Sequence, residues 1–291
     1  MASLIMSQCL SSSMLLMLIA SDGLPHQEPM PLENSSNMLL MLLALVQRSG
    51  AVLARQWLAP YLPLLTTWTE VLIGLKGILA IRAFAELCTI MQLDDESRQF
   101  NGGRAPPQHG GRAPPQHGGR AQDGARTGRP CAEYASIAAD YASTWQLYAF
   151  NATGQPPHYS MSFNVDEYQD SWSLKYNLLW QRLLRLDGPF DYDAIAALET
   201  AYYLEQANEF GTPLDPRHQY TKADWLSWVA AMSPDEARWH ALFSPIFEVL
   251  NTTSSRAPFT DLYDTISGEL AINGAFIARP VVGALFAKLL L

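Results

Sequence analysis

The sequence is short of several things at once, and each shortage excludes a class of protein. Three cysteines in 291 residues, Cys9, Cys88 and Cys131, form an odd set without metal-ligand spacing, so no disulfide framework and no thiolate metal centre follow. No apolar run reaches the ~18 residues of a bilayer-spanning helix. Positive charge is scarce: 19 Lys and Arg stand against 28 Asp and Glu, a net −9, which argues against a nucleic-acid surface. No convincing series of segments alternates in the strand period. Ser254 and Ser255 have no neighbouring His and no elbow motif, which leaves a serine nucleophile with little support. The apolar run near Met14, followed by Ala20, has the length of a signal-peptide core but lacks a basic residue before it.

What is present is helical. Apolar residues make up 48% of the chain, enough for a sizeable core. Leu39, Leu42, Leu43 and Val46 fall on one face of a helix. The stretch from Val52 to Leu72 carries a second stripe, interrupted at Pro60 and Pro63, where a kink or restart is expected. Leu75 to Met91 is apolar almost all round, which predicts an inner helix, and its Arg82 and Glu86 are spaced to pair. Further stripes run through Tyr134, Ile137, Tyr141, Trp145 and Tyr148, and through Trp172, Tyr176, Leu179, Leu183 and Leu186, with Asp170 or Ser171 as cap. A helix from about Asp191 should stop at Gly211 and Pro213. Ser233-Pro234-Asp235-Glu236 reads as another helix start with Ser233 as cap, and Arg279-Pro280 opens a last helix. Between Asn101 and Pro130 the unit GGRAPPQH recurs in tandem. It has no apolar face, which predicts a flexible insertion, and its His109 and His117 have no partners that suggest a metal. The organisation expected is an ill-defined segment 1–27, a first helical part 28–100, the insertion 101–130 and a second helical part 131–291.

The densest polar chemistry lies on one connection between helices: Asp215, Arg217, His218, Tyr220, Lys222 and Asp224, then Trp225 and Trp228. Two readings stay open for most of them. Thr221 and Asp224 fit a capping box, or Asp224 is a catalytic acid. Asp215 starts a turn before Pro216. Alternatively Asp215, Arg217 and His218 bind a zwitterionic amino acid, with Arg217 on its carboxylate and His218 shuttling protons. Trp225 and Trp228 stack on a ligand or pack in the core. Arg279 forms an anion site with the helix it precedes, or it holds the loop from Asp261 to Asp264. Sequons at Asn34, Asn151 and Asn251 permit glycosylation.

The segments SWSLKYNLLWQRLLRLD, GTPLDPRHQYTKADWLSWVAA, SSRAPFTDLYDTISG and FIARPVVGALFAKLL closely resemble the helical C-terminal region of the secreted fungal glutaminase A family. The resemblance implies an all-α fold of the six-hairpin glycosidase type, an (α/α)6 toroid. With eight or nine helices against the twelve of a full ring, the toroid here is incomplete, lacking the first hairpins and an acidic loop after Leu72. An open arc exposes surface that a closed ring buries and so predicts self-association. The activity implied is hydrolysis of L-glutamine to L-glutamate and ammonia without cofactor or metal, in a secreted protein, and the departures allow an inactive chain. The residues expected to carry it are Asp215, His218 and Asp224 as catalytic groups, with Glu33, Arg217, Tyr220, Trp225 and Arg279 on the substrate. A two-carboxylate glycosidase on a sugar-like ligand, or a non-catalytic binding module, stays open beside it.

Overall fold

The computed structural model describes residues 32–50, 75–91, 131–161, 171–254, 259–271 and 276–291. The N-terminal segment 1–27, the stretch Val52–Leu72, the tandem repeat with His109 and His117, and the side chains of Glu33 and Asn34 lie outside that description.

The described chain is mostly helical. Helices α1 (Leu32–Ser49), α2 (Leu75–Met91) and α3 (Cys131–Ala149) pack in succession, α2 between the other two. The stripe of α1 is buried as its spacing requires, with Leu39, Leu42, Leu43 and Val46 all inside. Helix α2 is covered on most sides, and Arg82 Nη1 meets Glu86 Oε2 at 3.3 Å at its rim. In α3 the aromatic stripe is corrected. Tyr134 and Trp145 are buried, but Tyr141 and Tyr148 are exposed, and Ala138, Ala142 and Ala149 take the inner positions because α2 approaches closely. Cys88 and Cys131 are both buried.

A short hairpin follows, β1 (Phe150–Asn151) against β2 (His158–Tyr159). Asn151 Oδ1 accepts from the Thr153 and Gly154 amides at 3.2 and 3.0 Å, which makes the turn. The helix expected from residue 170 is largely absent: residues 171–175 are irregular, Tyr176–Leu178 is a 3₁₀ turn, and only α4 (Leu179–Leu183) is α-helical. The first helical turn is entered at Lys175 and not at Ser171, whose hydroxyl accepts from the Met161 amide at 3.3 Å. A buried polar lock competes with the helix here. Lys175 Nζ donates to the Tyr159 and Ser173 carbonyls at 2.9 and 3.1 Å, and the Lys175 amide donates to Tyr203 Oη at 2.7 Å.

Opposite Lys175 stands Glu199 on α5 (Tyr192–Glu205), 0% exposed, its carboxylate accepting from the Tyr159 amide and from Tyr203 Oη, both at 2.7 Å. Asp191 caps α5, accepting from the Ala194 amide at 3.2 Å; Asp191→Ala should lower stability by about 1 kcal/mol, read as a lower urea midpoint. Helix α5 ends at Glu205, before Gly211, which instead takes φ +115 in a bridge with Asn208. Helix α6 (Ala223–Ala231) packs on α7 (Glu236–Thr252) and on the 3₁₀ helix Pro280–Leu290. The cap of α7 is Asp235, which accepts from the Arg238 amide at 2.8 Å, so the start lies two residues beyond the Ser233 expected. None of the described helices is long and apolar enough to cross a membrane.

Candidate functional site

Strand β3 (Tyr220–Lys222) pairs antiparallel with β4 (Leu262–Asp264), three residues each and too short for any periodic signal. The register sets Thr221 opposite Tyr263 and Lys222 opposite Leu262, and the next amide, Ala223, donates to the Asp261 carbonyl at 2.7 Å. This pairing joins the first turn of α6 to Asp261, 37 residues away in the chain.

The acids that meet there are Asp224 and Asp261. Asp261 is 1% exposed, and both its oxygens are taken by Arg279: Nε reaches Oδ1 at 2.9 Å and Nη2 reaches Oδ2. The Arg279 guanidinium also lies 4.3 Å over the Phe276 ring. Asp224 is 4% exposed, and among the described residues its Oδ1 has no hydrogen-bond partner. Burial first, and then the charge of Asp261, push its carboxyl up to about 6, against the pull of Lys222 and of the amides of Trp225 and Asp224 itself. A buried acid that changes protonation near neutrality can exchange a proton with a bound molecule. Thr221 Oγ1 and Tyr263 Oη, buried and paired opposite each other on the two strands, are likewise unpartnered among the described residues.

The capping box does not form: Thr221 belongs to β3, and the cap residue of α6 is Lys222, which makes no side-chain cap hydrogen bond. Arg279 holds the Asp261 loop, the second of its two expected roles. Asp215 starts the turn and is gripped by Arg217: Oδ1 accepts from the Arg217 amide at 3.0 Å and from Nε at 2.9 Å, and Oδ2 from Nη2 at 2.7 Å. Burial would raise the Asp215 carboxyl, but Arg217 overrides it and holds it below the ordinary range. His218 is exposed and stacks on Tyr220 with ring centres 4.9 Å apart. The structure thus groups Asp215, Arg217 and His218 on the turn, with Tyr220 against His218 at the start of β3. The charges acting on Asp224 come from Asp261 and Lys222. Trp225 and Trp228 are half-buried and both face Tyr176, at 4.2 and 5.1 Å. The Glu33 side chain lies outside the described residues. Of the sequon residues, Asn151 is half-buried and Asn251 exposed in the last turn of α7.

A model of the glutaminase A six helical-hairpin domain matches residues 20–75 and 122–289. The chain belongs to that family. Among curated proteins it is similar to glutaminase A of Aspergillus oryzae, 28% identical over 291 residues that cover 91% of this chain and 36% of that protein. It is also similar to a probable glutaminase of Arthroderma benhamiae, 30% identical over 184 residues covering 54% of this chain and 20% of that protein. The chain thus spans about a third or less of the curated relatives it matches. Both segments matched by the six helical-hairpin domain contain candidate residues: Glu33 lies in the first, and Asp215, Asp224, Asp261 and Arg279 in the second.

Sequence reading missed the Lys175–Glu199–Tyr203 lock and His158. His158 is buried, stacks on Tyr202 at 3.9 Å, and has Nε2 unpartnered among the described residues. Neither has a motif; both arise from contacts across the fold.

Proposed function

We propose that this chain is the helical part of an L-glutamine amidohydrolase, an arc of α/α-toroid hairpins, with Asp224 as its general acid–base. Similarity to a protein described as glutaminase A supports the substrate. One observation carries the chemistry: Asp224 is buried, keeps one carboxylate oxygen unengaged among the described residues, and titrates at about 6. In the reaction the Asp224 carboxylate takes a proton from water as its oxygen attacks the side-chain amide carbon. The resulting carboxylic acid returns that proton to the amide nitrogen, the C–N bond breaks, and ammonia and L-glutamate leave.

A two-carboxylate glycosidase reading is less well supported. Its second acid would be Asp261, and both Asp261 oxygens are engaged by Arg279. The test is ammonia release from L-glutamine by the purified protein. Release above a buffer blank is expected, and a rate equal to the blank removes the reading.

A further inference from the structure

One cation close to Asp224 stands outside the ion pairs found among the described residues. Lys222 is the cap residue of α6 and half-buried, and among the described residues no carboxylate lies within 4.0 Å of its Nζ. Its Nζ is nevertheless held, 5.2 Å from the centre of the Trp225 ring and 5.5 Å from that of Phe276. Those two rings belong to a continuous series of charges and aromatic faces. Lys76 lies 5.2 Å over Tyr176, the Tyr176 ring lies 4.2 Å from Trp225 at a tilt of 32°, Lys222 sits against both Trp225 and Phe276, and Arg279 lies 4.3 Å from Phe276. The other cations of the series are engaged: Lys76 Nζ donates to Tyr176 Oη at 3.1 Å, and Arg279 grips Asp261. Lys222 is therefore oriented by two rings and joins no ion pair among the described residues. A charge kept in that state beside a buried carboxyl whose Oδ1 is unengaged among the described residues is suited to an anionic ligand.

Resting on the reading of Asp224 as the hydrolytic group, we propose that Lys222 is the anchor for the substrate's α-carboxylate, which would make the site specific for free amino-acid amides. In glutamine three carbons separate the carboxylate from the reacting amide. Lys222 and Asp224 offer a matching division of labour: close enough for Lys222 to act on the Asp224 proton, yet not joined as an ion pair. The Trp225 and Phe276 rings hold the ammonium in place and limit the rotamer entropy lost when a carboxylate binds.

The test compares wild type, Lys222→Met and Lys222→Arg, each checked for an unchanged melting curve. It measures L-glutamate binding by calorimetry and glutamine hydrolysis with kcat and KM separated, using L-glutaminamide as the carboxylate-free substrate. Lys222→Met should weaken L-glutamate binding and raise KM for glutamine about 10–100-fold, the loss of one charge-assisted hydrogen bond, with kcat changing far less. Lys222→Arg should recover most of the loss, and L-glutaminamide should discriminate little between wild type and Lys222→Met. L-glutamate binding that is equal in wild type and Lys222→Met, or absent in wild type, overturns the proposal. Normal glutamine hydrolysis with an unmoved KM in Lys222→Met overturns it while leaving the amidohydrolase intact. Lys222-dependent L-glutamate binding without ammonia release would instead overturn the hydrolytic reading and leave the anchor standing.

Discussion

Asp224→Asn should slow ammonia release by about 10²–10⁴-fold and at the same time make the protein more stable at pH 7.5. The first effect is the loss of the group that exchanges the proton. The second follows from linkage. The folded-state carboxyl titrates at about 6, above the ~3.9 of an unfolded aspartate, so the folded chain holds its proton more tightly. As pH rises from about 4 to about 6 the wild type must ionise a buried acid beside Asp261, and its stability falls by on the order of 1–3 kcal/mol relative to the asparagine variant. Urea unfolding at pH 4 and pH 7.5 reads this directly. The two proteins should be alike at the lower pH, with Asp224→Asn ahead at the higher. A wild type that gains on the variant as pH rises would show that Asp224 is stabilised as a carboxylate and is not a poised acid.

Glu199→Leu should be among the most destabilising single changes, by about 3–5 kcal/mol, because it leaves the Lys175 ammonium buried without its counter-charge. Nζ lies 3.9 Å from Glu199 Oε2, and burial already pulls the Lys175 pKa down despite that carboxylate. The change also strands the Tyr159 amide, which donates to Glu199, and removes the nearer of the two acceptors of the Tyr203 hydroxyl, leaving it the Ser173 carbonyl at 3.1 Å. At about 2–4 °C per kcal/mol for a domain of this size, the melting temperature should fall by on the order of 10 °C. Glu199→Gln should cost less, since an amide oxygen can still accept from one of those donors. The double variant Lys175→Met/Glu199→Leu should recover part of the loss, and a double-mutant cycle measures that coupling. A double variant no better than the sum of its singles would mean that the two side chains act independently.

The parts of the fold that could be read in the sequence are those where helical period and burial coincide. Helix α2 is the clearest case, because a segment apolar all round has few alternatives, and its Arg82–Glu86 spacing left one geometry. Helix α3 shows the limit: large aromatics were credited with the core, whereas close helix approach favours alanine there and leaves Tyr148 outside. The segment around Lys175 has helical spacing in Trp172, Tyr176 and Leu179, all buried, yet its first residues are not helical. Glu199 and Tyr203, more than 20 residues away, hold the backbone through contacts that no local pattern encodes.

The site divides in the same way. Its residue types and their crowding between Asp215 and Asp224 are legible in the sequence, as are Asp261 and Arg279 taken singly. What could not be read was the pairing. A three-residue strand takes Thr221 away from the helix cap and brings Asp261 to Asp224, which turns an apparent capping box into a pair of buried acids.

Because Asp224 is the proposed proton carrier, the pH dependence of glutamine hydrolysis tests that claim most directly. The kcat/KM of the wild type should climb as pH rises through about 6 and level off above it, and Asp224→Asn should lose both the rate and that inflection. An inflection that persists unchanged in Asp224→Asn, or a wild-type rate no greater than the uncatalysed one at every pH, would contradict the account.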